Sequence, residues 1–83
     1  MGKLINIGYG NMMNTERILA VINPDSAPAK RIISRSKETE QLIDATQGRK
    51  TKSIIITDTD RIVLSALLPE TIAGRMSSEP LKE

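Results

Sequence analysis

The sequence predicts a small α+β domain of order ββαβββα with a mostly antiparallel sheet, assembling into a homo-oligomer. Three observations carry that expectation. Short apolar runs bounded by Gly, Pro, Asn and Asp recur along the 83 residues, as strands and turns require. One stretch, "PDSAPAKRIISRSKETEQ", switches to helical spacing. The chain has no Cys, Phe or Trp and a single Tyr, so a core of this size gains most by sharing burial with other subunits.

The elements follow in order. "KLINIGY" reads as a first strand and "GYGN" as the turn that ends it. "ERILAVINP" is the second strand. Its continuous Ile18 to Ile22 fits a strand covered on both faces, and Pro24 stops it. The helix then takes Asp25 or Ser26 as N-cap and Pro28 in its first turn. Ala29, Ile32, Ile33 and Ser36 share its apolar stripe, and Lys30, Arg31, Arg35 and Lys37 lie opposite.

"LIDAT" and "KSIIIT" read as a hairpin whose tip, Gln47 to Lys50, is cationic, with Gly48 supplying the positive φ. "DTD" from Asp58 to Asp60 turns the chain into "RIVLSALL", and Pro69 opens a short closing helix. Ile54, Ile55 and Ile56 place isoleucine on both faces of one strand. That is more apolar surface than two short helices obviously cover, so subunit packing is expected to bury the rest. The domain is expected to span residues 1–76, with a flexible tail over 77–83.

Composition excludes several chemistries. Without Cys or His there is no thiol nucleophile, no imidazole acid/base pair and none of the commonest zinc ligands. No metal, cofactor or small-molecule substrate is expected. No run of roughly 18 apolar residues occurs, so no membrane span is expected and the default location is cytoplasmic. The net charge is only +2, but it is uneven. From Lys30 to Lys52, seven cations (Lys30, Arg31, Arg35, Lys37, Arg49, Lys50, Lys52) face three anions (Glu38, Glu40, Asp44). Such a cluster fits a polyanion partner or an ordinary solvated surface.

"GRKTKS" lacks the Gly-x-x-x-x-Gly-Lys-Ser/Thr spacing of a nucleotide-binding loop and leads to a strand, not a helix. "GYG" lacks the third glycine of a dinucleotide fingerprint and reads as a structural turn. With Tyr9 as the sole aromatic, single strands and RNA have little to stack on, and duplex DNA becomes the better polyanion. Two other readings stand beside it. One is a structural or interaction module whose cationic tip meets an acidic protein, and the other is a small enzyme using Asp44, Asp58 or Asp60.

"LINIGYGN", "RILAVINPDSAPAKRII", "LIDATQGRKTKSIIITDTD" and "VLSALLPETIAGRM", which together run almost end to end, resemble the RemA family of bacterial extracellular-matrix regulators. The resemblance implies a non-enzymatic, nucleoid-associated regulator that binds double-stranded DNA, activates biofilm-matrix operons and assembles as a homo-oligomer, a ring being one closed form. It also implies likeness to the LytTR class of DNA-binding β domains. By position it assigns DNA contact to Arg17, Arg49 and Lys50, to which the charge cluster adds Lys52. It matches Pro28 to a proline whose replacement disturbs the regulator. Pro28 and Ile55 are the residues expected to act through oligomerisation or folding. The family pattern has an aromatic residue where this chain has Gln47 and often an arginine where it has Lys50.

Overall fold

The structure, a computed structural model, describes residues 2–77. The strands are β1 (Leu4–Asn6), β2 (Met12–Asn14), β3 (Ile18–Ile22), β4 (Leu42–Asp44), β5 (Ser53–Thr57) and β6 (Ile62–Ser65). The helices are α1 (Ala27–Glu38) and α2 (Pro69–Ser77), and a 3-10 turn at Thr15–Arg17 leads into β3. Ser77, where the tail was expected to begin, is the last residue of α2, and the rest of that tail lies outside the described residues.

A four-stranded mixed sheet of order β3-β5-β6-β4 forms the middle layer. β3 and β6 each pair antiparallel with β5, while β4 pairs parallel with β6. Side-chain alternation along the central strands then divides the core in two. Ile54, Ile62 and Leu64 face α1, where Ala29, Ile32 and Ile33 cover them. Ile55 and Val63 face the other way, toward Ile5, Ile7, Ala45 and Ile72 from the β1–β2 hairpin, the β4–β5 loop and α2. The excess apolar surface expected to need a second subunit is thus largely covered within the chain: Ile54 and Ile55 are both 0% exposed and only Ile56 is half-buried.

Two topological expectations are corrected. "LIDAT" and "KSIIIT" do not form a hairpin, because the α1 crossover delivers β4 to the far edge of the sheet, parallel to β6. With β6 lying between β4 and β5, a tight turn cannot join them, so the segment after Asp44 becomes a loop that passes the end of β6 to enter β5. An extra strand, β2, also pairs with β1 from Leu4↔Asn14 to Asn6↔Met12, giving the order βββαβββα.

The helices form where expected. Ser26 caps α1 by accepting from the Ala29 amide at 3.2 Å, and Pro28 sits in the first turn. Ala29 and Ser36 are buried on the predicted stripe. Glu40 takes a left-handed φ of 60° to end the helix, with Gln41 N donating to Ser36 O at 2.9 Å.

Candidate nucleic-acid interface

The loop between β4 and β5 is fixed at both ends to β6. Ala45 N donates to Leu64 O at 2.9 Å and Lys52 N to Ser65 O at 2.8 Å, which holds the loop across the strand end. At its crest Arg49 N donates to Thr46 O at 3.0 Å, and Gln47 (φ 55°) and Gly48 (φ 77°) both adopt positive φ. That is the backbone of a type I′ turn, and Gly48 supplies the conformation expected of it. The Asp44 carboxylate accepts from the Thr46 hydroxyl at 2.6 Å and from the Thr46 amide at 2.9 Å. These two hydrogen bonds, the hydroxyl's first, hold its pKa below the ordinary 3.8 against a small opposing effect of burial. Asp44 is therefore a loop fastener.

The β1–β2 turn lies beside this crest. Gly8, Tyr9 and Gly10 have φ of 121°, 55° and 78°, and Asn6 and Asn11 brace the turn through Gly8 N to Asn6 Oδ1 at 2.7 Å and Asn11 Nδ2 to Gly8 O at 2.9 Å. Ser65, fully buried, donates from Oγ to Ile7 O at 2.7 Å, tying hairpin and sheet end together. Tyr9 is thereby presented to solvent with the Arg49 guanidinium 5.9 Å above its ring centroid. Sequence reasoning missed this partnership. Its only signal was a lone aromatic held between two glycines.

Arg49, Lys50 and Lys52 are all exposed on the loop. Lys50, Thr51 and Lys52 share a surface groove with Asn23, Asp25 and Glu70, so the second half of the loop meets acidic neighbours. Arg17 stands elsewhere. It precedes β3, which starts opposite Thr57, and its guanidinium pairs with Asp58 at 3.1 Å while Asp58 N donates to Arg17 O at 3.0 Å. β5 runs between the two sites, so they are separated by about 17 Å at ~3.4 Å per residue. Arg17 and the loop cations are not one contiguous patch within a chain.

The acidic candidates are similarly occupied. Asp58 is paired with Arg17, and Asp60 takes φ 65° in the β5–β6 turn, where Thr57 Oγ1 accepts from Arg61 N at 3.1 Å. Among the described residues no group of three or more His, Cys, Asp or Glu is placed to hold a metal ion. No described helix is long and apolar enough to cross a membrane. Pro28 is exposed at the start of α1, and Ile55 is wholly buried in the layer facing α2.

Residues 4–76 match the model of the RemA-like family, described as extracellular matrix regulatory protein A-like. The chain is 58% identical over 80 residues to a "Putative regulatory protein" of Moorella thermoacetica, covering 95% of this chain and 88% of that one. It is 54% identical over 77 residues to a protein of the same name from Alkaliphilus metalliredigens, with coverage of 93% and 83%. Another so named, from Geobacillus thermodenitrificans, is 54% identical over 76 residues, with coverage of 92% and 87%. The chain belongs to the RemA-like family of extracellular-matrix regulatory proteins.

Proposed function

We propose that this protein is a non-enzymatic transcriptional regulator of extracellular-matrix genes that binds duplex DNA backbone through Arg49, Lys50 and Lys52, with Arg17 as a second contact, and that it works as a homo-oligomer. The regulatory role draws on the family and on the names of its relatives. The observation that carries DNA binding is the loop crest: a type I′ turn fastened to β6 that projects three exposed cations, one of them resting on Tyr9. A fixed backbone lowers the entropy lost when these side chains meet phosphates, since little of the loop remains to be ordered.

The separation of Arg17 from the loop supports a repeated arrangement. A duplex that meets several copies gathers many weak phosphate contacts on one polymer, and effective concentration sums them. Three features favour copies meeting at the sheet edges. Among the described residues β3 and β4 are both unpaired on their outer sides, Leu19 is 68% exposed, and Met12 and Ile43 are exposed together beside the opposite edge.

Titrating a labelled duplex at several salt concentrations tests the proposal. Arg49→Ala should weaken binding to all duplexes alike and reduce the salt slope by about 0.9 per engaged subunit. Binding that ignores salt, or an Arg49→Ala variant indistinguishable from the parent, refutes backbone recognition by this loop.

A further inference from the structure

The outer face of α1 carries a second cationic track that the loop does not explain. Lys30, Arg31, Arg35 and Lys37 are all exposed on the side away from the sheet. At 3.6 residues per turn they fall into two rows, Lys30 with Lys37 and Arg31 with Arg35, flanking the small Ser34. Lys30, Arg31, Ser34, Arg35 and Glu38 line the resulting open trough.

Two of these charges, Lys30 and Arg31, oppose the helix's own electrostatics, while Arg35 and Lys37 lie in the last turn, where the dipole favours cations. The first turn contains no acidic residue, and Lys30 and Arg31 lie in the positive half of the helix dipole. Arg31 and Arg35 form a like-charged i, i+4 pair, a spacing at which Lys–Glu pairs stabilise and like charges repel. Among the described residues none of the four cations makes a side-chain hydrogen bond or ion pair. The isolated fold gains nothing from Lys30 and Arg31 or from the Arg31–Arg35 pairing, whereas a polyanion laid along the trough offsets the repulsion between these charges.

The helix runs between the neighbourhoods of the two sites already described, although the groove at its start carries Asp25 and Glu70 and no cation outside the loop. Asn23 to Asp25, just before α1, share a groove with Lys50 to Lys52. At the other end Gln41 O accepts from Ile62 N at 3.1 Å, next to the β5–β6 turn that carries Asp58 and its partner Arg17. Twelve helical residues span about 18 Å, matching the length of β5 between the sites.

We propose that the outer face of α1 is a second contact for duplex DNA phosphates, centred on Arg31 and Arg35 and separate from the loop cations and from Arg17. The inference rests on the reading of the protein as a DNA binder. Duplex is favoured over single strands because the trough has no aromatic ring and the chain's one tyrosine lies at the β1–β2 turn.

The test compares the full chain, Arg49→Ala, and the double variant Arg31→Gln with Arg35→Gln. Each is titrated with labelled duplex, with single-stranded DNA of the same sequence and with poly-glutamate, alongside melting and light scattering. The double variant should keep the parent's particle mass and melt close to the parent's temperature, because the relieved like-charge repulsion is offset by the loss of a favourable last-turn cation at Arg35. It should bind duplex more weakly, with a salt slope lower by about 1.8 per engaged subunit, at ~0.9 per lost contact. If Arg49→Ala weakens duplex binding and the double variant does not, the α1 track is overturned and the loop reading survives. If the parent binds no duplex at low salt, both fail. If the double variant loses only single-strand or poly-glutamate binding, α1 meets a different partner and the proposal is wrong.

Discussion

At the scale of single residues, Tyr9 and Arg49 form the pair on which the proposed site turns. An exposed cation–π contact contributes about 0.5–1 kcal/mol, and here its effect is to limit where the guanidinium sits. Tyr9→Ala should therefore weaken duplex binding by roughly two- to five-fold, the equivalent of that energy, without lowering the salt slope, because no phosphate contact is lost. Tyr9→Phe should bind like the parent. Equal losses in both variants would mean that the hydroxyl, and not the ring face, does the work. Asp44 gives a residue-scale prediction in pH. Its folded pKa lies below the ordinary 3.8, so its contribution is complete above that value and disappears as pH falls through the lower folded one. Protection of the Thr46 amide against hydrogen exchange should be constant from pH 7 to 5 and drop below 3.8. In Asp44→Asn, which has no carboxylate to titrate, that drop should be absent. A drop that persisted in Asp44→Asn would assign it to another group.

At the scale of elements, local signals were legible and long-range pairing was not. Ser26, Pro28 and the Ala29–Ser36 stripe located α1, and Pro69 located α2, because caps and helical periodicity are properties of neighbouring residues. The turn at Gly48 was legible for the same reason. The partners of the strands around it are not legible, since an apolar run, a glycine turn and another apolar run describe equally a hairpin and a loop between non-adjacent strands. Three cations between Gly48 and Ser53 were the available clue, for in a two-residue type I′ hairpin the pairing resumes at once. β2 carries no local signal because "MMN" is three residues long and gains its strand character from β1. The site residues followed suit: the loop cations were legible as a cluster, whereas the distance to Arg17 depended on strand order. Gly48→Ala tests the turn. A Cβ there meets nothing within 4 Å, so the cost is purely conformational, about 1–2 kcal/mol for a left-handed residue. It should lower melting and DNA affinity together, whereas Gly74→Ala, in α2 and equally uncrowded, should not weaken binding. Pro28→Ser should cost about 0.4–1 kcal/mol in melting, chiefly through a more flexible unfolded chain, with binding per folded molecule unchanged. Normal melting with lost binding would make Pro28 a contact residue.

At the scale of the whole molecule, the two-faced isoleucine strand has a different meaning from the one its sequence suggested. Ile54 and Ile55 are each sealed by a layer of the chain's own making, α1 on one side and the hairpin with α2 on the other. The case for assembly therefore moves outward to the sheet edges. On β3 the register slips between Ile18 and Ala20, leaving Leu19 as an extra, unpaired residue, and its side chain lies over a groove with Ile32 and Ile56. An exposed leucine on an open edge invites another chain. Ile55→Lys and Leu19→Lys separate core from contact. A lysine at the position of Ile55 would bury a charge with no counter-ion, at a cost of more than about 3 kcal/mol, and should unfold the domain outright. A lysine at Leu19 reaches solvent and should leave the circular dichroism spectrum and the fold intact. If β3 edges join the copies, light scattering should then report a smaller particle for Leu19→Lys than for the parent, and duplex binding should weaken because fewer loop crests meet each DNA molecule. A parent that is already a stable monomer at micromolar concentration would end the assembly proposal, and with it the argument that distant cations on one chain act together through their copies.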